Sequence, residues 1–300
     1  MAGQLGDITP YTNVDDGTPA PVIRDNEGVD RKLGLILPAG YPAPRAKLSS
    51  VPGFIPWTKS QIEDAIRTKP KKARELFKGS DWIEDQKQRS SCCPTAWVAG
   101  MRKAMFYAGV NLVPKLSAEF LYAQTNRGSD NGAVLEEVRI AGEEIGTILR
   151  DDAKHPFNRD ILKKNYSPEE YNAAKANRAG VTYEVDDELS LATFVLSRMG
   201  GSVVAVDVDD AYMKLNKSGI RGSGTGPGNH AVDLDDCEIV DGQLVFDEAG
   251  SWGLANGDGG RAYLTWDRHL KVTNKYHKFF VILSANVQAL MDEAPAAKAA

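Results

Sequence analysis

Apolar side chains recur at three- and four-residue spacing between about residues 57 and 200, a pattern typical of amphipathic helices. The clearest predicted helix begins at Cys92, where Trp97, Met101 and Met105 fall on one face and Gly109 follows the last turn. The same spacing predicts helices in the segments LSAEFLYAQ, NGAVLEEVRIAGEEIG, SPEEYNAAKAN and DDELSLATFVLSRMGG.

Two helix starts carry local capping signals. Ser60 with Glu63 three residues later predicts a capping box at the start of a short helix that is halted near Pro70. Ser167 followed by Pro168 places a capping hydroxyl and a preorganised first residue at the start of another helix.

After Gly201 the pattern changes to short runs rich in Val, Ile, Phe and Tyr, separated by Gly, Asn and Asp. These runs predict an antiparallel sheet or barrel from SVVAVDV, NHAVDLDD, CEIVDGQLVFDE, RAYLTWD and KFFVILS. Helices followed by strands indicate an α+β protein in two lobes, not a parallel βαβ array. The predicted helical lobe spans about 57–200, the β lobe about 201–285 and a tail 286–300.

Residues 1–56, here called the arm, are rich in Pro and Gly and show neither helical nor strand periodicity. Such a segment buries too little apolar surface to order itself. We expect it to be an extended arm, held either by an assembly partner or along the body of its own chain.

Composition excludes several classes of function. The chain of 300 residues has a formal net charge of -5 and no basic cluster interleaved with aromatic residues, so nucleic acid is not an expected partner. No signal peptide and no membrane-spanning stretch is recognisable, which favours a cytoplasmic or virion location. Paired Asp residues without a calcium-loop pattern are interpreted as turns, so neither a metal nor a cofactor is predicted.

The stretch EDQKQRSSCCPTAWVAGMRKAM carries the candidate chemistry. Cys92 and Cys93 stand where a polar loop becomes a helix, and a helix N-terminus favours thiolate over thiol. The simpler alternative is a buried, unreactive cysteine. Which of the two would be the nucleophile stays open, and a nucleophile needs a histidine base. Only one histidine has a motif around it, His230, and surface positions are expected for the other three, His155, His269 and His277.

Five segments in order resemble the papain-like cysteine peptidases of the C1 family: DQKQRSSCC, LSAEFLYAQTNRGSDNGAVLEEV, GGSVVAVDVDDAYMKLNKSGI, GNHAVDL and AGSWGLANGDGGRAYLTW. The resemblance implies a two-lobed fold that cleaves a protein or peptide substrate. It implies Cys92 as nucleophile, His230 as base and Gln86 as a donor to the oxyanion. Ser251 and Trp252 belong to the motif that lines the cleft and shields the histidine.

The chain also departs from the family pattern. Gly250 stands where the family has the Asn that orients the histidine, and Cys93 replaces a Trp. Asp233 and Asp235 lie on a strand that is mostly apolar in the family. Nearby Asp247 and Glu248 are carboxylates that could orient the ring, although their offset along the strand is long.

Two hypotheses of function follow. The first is a cysteine peptidase, weakened by the loss of the orienting Asn. The second is a structural or assembly protein that keeps the fold without full catalytic geometry, for example a component of a phage virion in the tail or neck.

Overall fold

Helices precede most of the strands in the computed structural model, which describes residues 22–24, 28–36, 46–152, 154, 163–224, 229–271 and 279–283. The helices within these ranges are α1 Lys59–Thr68, α2 Ala73–Leu76, α3 Cys92–Tyr107, α4 Ala118–Thr125, α5 Leu135–Glu144, α6 Pro168–Ala174 and α7 Glu188–Leu196. None of these helices is long and apolar enough to cross a lipid bilayer.

Helix α3 is the buried central helix that the apolar spacing predicts. It begins at Cys92 and ends before Gly109, whose φ of 90° suits glycine after a helix. Its backbone lies directly against the sheet, because a Cβ added at Gly201 would lie 2.0 Å from the carbonyl oxygen of Gly100. The two glycines therefore permit a close approach between helix and strand.

The main sheet has six antiparallel strands in the order β3-β8-β4-β5-β6-β7. Its strands are β3 Thr182–Val185, β4 Gly200–Val206, β5 His230–Val240, β6 Gln243–Ala249, β7 Arg261–Thr265 and β8 Phe279–Leu283. The predicted α+β class is confirmed. Two details differ from the sequence prediction: NHAVDLDD and CEIV form one long strand, β5, and the pairing of β3 with β8 was not predicted.

A tight hairpin and a bulge shape β5. Asp241 and Gly242, which join it to β6, both have positive φ angles (50° and 76°), as a two-residue hairpin requires. The register with β6 shifts between Leu234 and Asp236. Such a bulge re-aims the side chains on the longer strand.

The helix caps were predicted in part. Ser167 caps α6 and forms a full capping box with Glu170. The prediction for α1 was wrong by two residues: Thr58 and Gln61 form its capping box, in place of Ser60 and Glu63. Both pairs have the required spacing, and the chain enters α1 from an extended residue at position 58.

The described part of the arm packs against the body of its own chain. Residues Val22–Arg24 (β1) and Asp30–Lys32 (β2) form a small antiparallel pair. Ile23, Leu33 and Leu48 are buried in the main core, which the Pro/Gly composition did not indicate. The domain boundaries at 56 and 285, and an assembly partner for the arm, remain predictions.

Candidate active site

Cys92 is the first residue of α3 and is fully buried. Ser91, the N-cap residue, makes no side-chain capping hydrogen bond, so its hydroxyl does not neutralise the positive end of the helix. The thiol therefore lies at the electropositive end of the central helix.

His230 is the first residue of β5 and pairs with Val206 of β4. Its ring stacks on the indole of Trp252, with 4.3 Å between ring centroids and 29° between planes. Both side chains are buried. The indole thus covers one face of the imidazole and excludes water from it.

The two adjacent cysteines differ in acidity. Burial alone raises the pKa of Cys92, but a hydrogen bond from Cys93 and the charge of His230 outweigh it and hold this pKa well below the ordinary thiol value. Burial and the neighbouring Cys92 raise the pKa of Cys93 well above that value, and its Sγ lies 3.4 Å from the carbonyl oxygen of Ala133. Cys92 is therefore the better nucleophile of the two.

Trp252 fixes the plane of the His230 ring, but no side chain of the described ranges holds a ring nitrogen as the family's Asn would. Neither ring nitrogen forms a hydrogen bond of good geometry there. Asp247 pairs with Arg74 and Arg261 instead. Glu248 likewise pairs with an arginine, at 3.0 Å. The carboxylates that could have replaced the missing Asn are thus engaged elsewhere.

Gly250 leaves space where that Asn would stand. A Cβ added there would meet Glu248 Oε1 at 3.4 Å and the carbonyl oxygen of Gly260 at 3.6 Å, which are ordinary contacts. Its φ lies outside the left-handed region that disfavours side chains. The local backbone therefore accepts a larger residue.

Gln86 is buried beside the site with its amide fully engaged. Its Nε2 donates to the carbonyl oxygens of Arg89 at 2.7 Å and Lys32 at 3.2 Å, and its Oε1 accepts from Ser251 Oγ. The Ser251 carbonyl also accepts from the Gln86 backbone N–H at 2.8 Å. An amide nitrogen has two hydrogens, so Gln86 can serve an oxyanion only after one of these carbonyls moves away.

Residues 30–36, here called the cleft segment, run between the two lobes. Leu35 N donates at 3.2 Å to the carbonyl oxygen of Asn229, the residue directly before His230. Ala133 N donates to Gly34 O at 2.8 Å, and Ile36 N donates to Ala133 O at 3.0 Å. The segment is thus bound through its backbone, as an added strand is bound.

Gly34 is the point of closest approach. A Cβ added there would lie 1.9 Å from the carbonyl oxygen of Ser90, two residues before the thiol. Leu35 is buried in the same apolar cluster as Cys92 and Ala133. The cleft segment therefore packs against residues that flank both Cys92 and His230.

Two ion pairs anchor the cleft segment. Arg31 Nη1 donates to Asp85 Oδ1 at 2.7 Å, and its Nη2 donates to the carbonyl oxygen of Trp252 at 3.2 Å. Lys32 Nζ pairs with Asp130 Oδ2 at 3.0 Å. These contacts hold the segment to loops on both sides of the site.

The charge of His230 acts on the Cys92 thiol, so the predicted nucleophile and base lie close together, and their catalytic roles stay predictions. Sequence reasoning missed the cleft segment. The apolar run LGLIL inside the arm is a signal that could have indicated a strand. The expectation for His269 was wrong: it is buried, with Nδ1 3.0 Å from Thr265 N and Nε2 3.0 Å from Gly222 O. His155 and His277 lie outside the described residues. Within the described ranges, no group of three or more His, Cys, Asp or Glu is placed to hold a metal ion.

Solved cysteine proteases share this architecture. Xylellain, a cysteine protease from Xylella fastidiosa, matches 82% of this chain and 100% of its own with a TM-score of 0.58 and 16% sequence identity. This chain has a papain-like fold. Procathepsin L 3 from the larval midgut of Tenebrio molitor matches 80% of this chain and 76% of its own, with a TM-score of 0.55 and 16% identity.

The proform of Amb a 11, a ragweed pollen allergen and cysteine protease, shares the papain-like fold at a TM-score of 0.54 and 14% identity, over 73% of this chain and 67% of its own. No protein-family model and no curated protein matches the sequence. Such low identity shows the fold alone.

Proposed function

We propose that this chain is a papain-like cysteine peptidase whose cleft is closed by its own residues 30–36. The observation that carries the proposal is the acidity of Cys92, whose pKa is held well below the thiol range beside His230 at a helix N-terminus. Burial in an apolar core raises the pKa of a structural cysteine, and the pKa of Cys237 is raised in this way.

The proposed reaction begins with attack of the Cys92 thiolate on the carbonyl carbon of a peptide bond. A C–S bond forms, and the negative charge moves to the carbonyl oxygen, where the Cys92 backbone N–H and Gln86 Nε2 are the candidate donors. The His230 imidazolium then gives its proton to the departing amine. Water, deprotonated by His230, hydrolyses the resulting thioester and restores the thiolate.

The cleft segment blocks this chemistry in two ways. Its backbone uses Ala133 and Asn229, the groups that an extended substrate between the lobes would meet. The Lys32 carbonyl also occupies one of the two amide hydrogens of Gln86. Release of the segment would therefore expose the thiol and free an oxyanion donor at the same time.

The alternative, a papain-like structural protein, is favoured by two observations. His230 has no orienting partner in the described ranges, and Gly250 adds no side chain that could provide one. If this alternative is correct, removal of the cleft segment exposes a thiol that does not turn over substrate.

Turnover of an unfolded casein substrate tests the proposal. We expect thiol-dependent cleavage by the wild type and none by Cys92→Ala. Cys237→Ala, which removes a buried cysteine of the other apolar cluster, is the matched control and should cleave like the wild type. Because the cleft segment lowers wild-type activity, the same three forms are also assayed in a Gly34→Ala background. Cleavage no higher than the Cys92→Ala background in every form would contradict the proposal and favour the structural alternative.

A further inference from the structure

Lys103 of α3 is enclosed with two carboxylates of β5. Its side chain is 2% exposed, and Nζ contacts Asp233 Oδ2 and Asp235 Oδ1, both on fully buried side chains. Lys103 thus ties the helix that begins at Cys92 to the strand that begins at His230.

The ion pairs continue across the sheet. Asp235 Oδ2 lies 2.5 Å from Arg261 Nη2, and Asp247 lies 3.4 Å from Arg261 and 3.0 Å from Arg74. The buried carboxylates of the network, Asp233, Asp235 and Asp247, are therefore matched by three cations, Lys103, Arg261 and Arg74. Arg74 also pairs with the exposed Asp258.

Stability alone is a weak reason for this network. Burial lowers the pKa of Lys103 to about 8 and raises the pKa of Asp233, so for both groups the loss of water outweighs their attraction. Well-packed apolar replacements of buried ion pairs are often neutral or stabilising. A buried polar contact can instead specify the register of two packed elements.

Distances along the chain support a role in register. Lys103 lies about 16 Å along the helix from Cys92, at about 1.5 Å per residue. Asp233 and Asp235 lie about 10 and 17 Å along the strand from His230, at about 3.3 Å per residue. Helix and strand therefore run side by side, with the reactive pair at one end and the ion pairs at the other.

We infer that Lys103, Asp233 and Asp235 form a positioning element that sets the register of α3 on β5 and so holds the Cys92 thiolate against the His230 ring. The inference rests on the proposed function, because it concerns the same reactive pair. With no orienting side chain at Gly250, the placement of the imidazole depends on the strand that carries it and on the stacked Trp252. An error in register would therefore separate the pair directly.

The test removes one cation and one carboxylate together. In Lys103→Met/Asp233→Val, the Asp235–Arg261 pair remains and the network stays balanced. The matched control is Lys69→Met/Glu238→Gln, which breaks a part-buried pair (2.9 Å) that joins the end of α1, rather than α3, to β5. It also breaks the pairs of Lys69 with Asp236 and of Glu238 with Lys72, so it disturbs β5 at least as much as the test variant. Alkylation of Cys92 by iodoacetamide is followed from pH 5 to 9 by peptide mapping, together with thermal unfolding.

In the wild type and the control, we expect Cys92 to reach half its plateau rate well below the ordinary thiol pKa of about 8.5. In Lys103→Met/Asp233→Val the midpoint should rise by about one pH unit, which lowers the rate relative to the plateau by about tenfold at pH values well below the wild-type midpoint. The unfolding temperature should be unchanged or higher. The pH profile is the readout that a purely structural network would not move.

A folded double variant with the wild-type profile overturns the inference alone. An ordinary thiol profile in the wild type overturns the proposed function and, with it, this inference. If the double variant does not fold, the isosteric Asp233→Asn, in which Lys103 keeps Asp235, is measured in the same way. An upward shift of its midpoint supports the inference, and an unchanged midpoint overturns it.

Discussion

Replacing Gly34 with alanine should displace the cleft segment from the active site. The added Cβ would lie 1.9 Å from the Ser90 carbonyl oxygen, and real Cβ atoms essentially never approach a heavy atom within 3.0 Å. The neighbouring contacts are backbone atoms, so no side-chain rotation can relieve the overlap. The segment must therefore move by about 1 Å or more at this point.

The structure sets the size of the effect. Three backbone hydrogen bonds join residues 34–36 to Ala133 and Asn229. At about 1 kcal/mol each, their loss amounts to about 3 kcal/mol. Since each 1.4 kcal/mol is a factor of ten in an equilibrium constant, the open population should rise by about a hundredfold.

Alkylation of Cys92 at pH 6 measures this population, because the thiol is fully buried and, under the proposed closure, reacts only when the segment is open. Gly28→Ala is the matched control in the same arm, since a Cβ there meets nothing within 4 Å. We expect Cys92 in Gly34→Ala to be labelled about a hundredfold faster than in the wild type. The control, although strained by a φ of 76°, should change little. Equal labelling rates in a Gly34→Ala protein with wild-type circular dichroism would refute the proposed closure.

Three further predictions concern the thiols, the histidine and the central helix. At pH 6, wild-type Cys92 should be alkylated in preference to Cys237, because the pKa of Cys92 is held low and burial raises that of Cys237; labelling of both at one rate would contradict the assignment. Gly250→Asn should raise casein turnover by roughly tenfold, far less than the ~10⁴ associated with a charged orienting group. Gly250→Ala, which adds a Cβ without the amide, is its control, and equal turnover by the two would exclude an orienting role. Gly201→Ala should lower the free energy of unfolding by about 1–3 kcal/mol in urea titrations, since its Cβ would lie 2.0 Å from the Gly100 carbonyl oxygen. A change below about 0.5 kcal/mol would mean that α3 shifts freely on the sheet.

The sequence by itself determined the features that depend on local pattern. Apolar spacing and a trailing glycine locate α3, and Ser167 with Pro168 locates α6, because residues within four positions decide helix formation and capping. The order of Cys92, His230 and the Ser-Trp-Gly motif indicated the papain-like fold before any contact was known. The helix signals each lie within one short segment, and the motif order depends only on position along the chain.

Only the tertiary structure decided which distant groups meet. It brings Lys32 to Gln86, 54 positions away, and so determines that the Gln86 amide is occupied. It also pairs Lys103 with Asp233, 130 positions away, which explains a carboxylate on a strand expected to be mostly apolar. The physical reason is that a buried charge or amide needs a partner, but any complementary group can supply it. Local sequence shows which side chains will need a partner when buried. Only the packing of the whole chain determines which residue provides it.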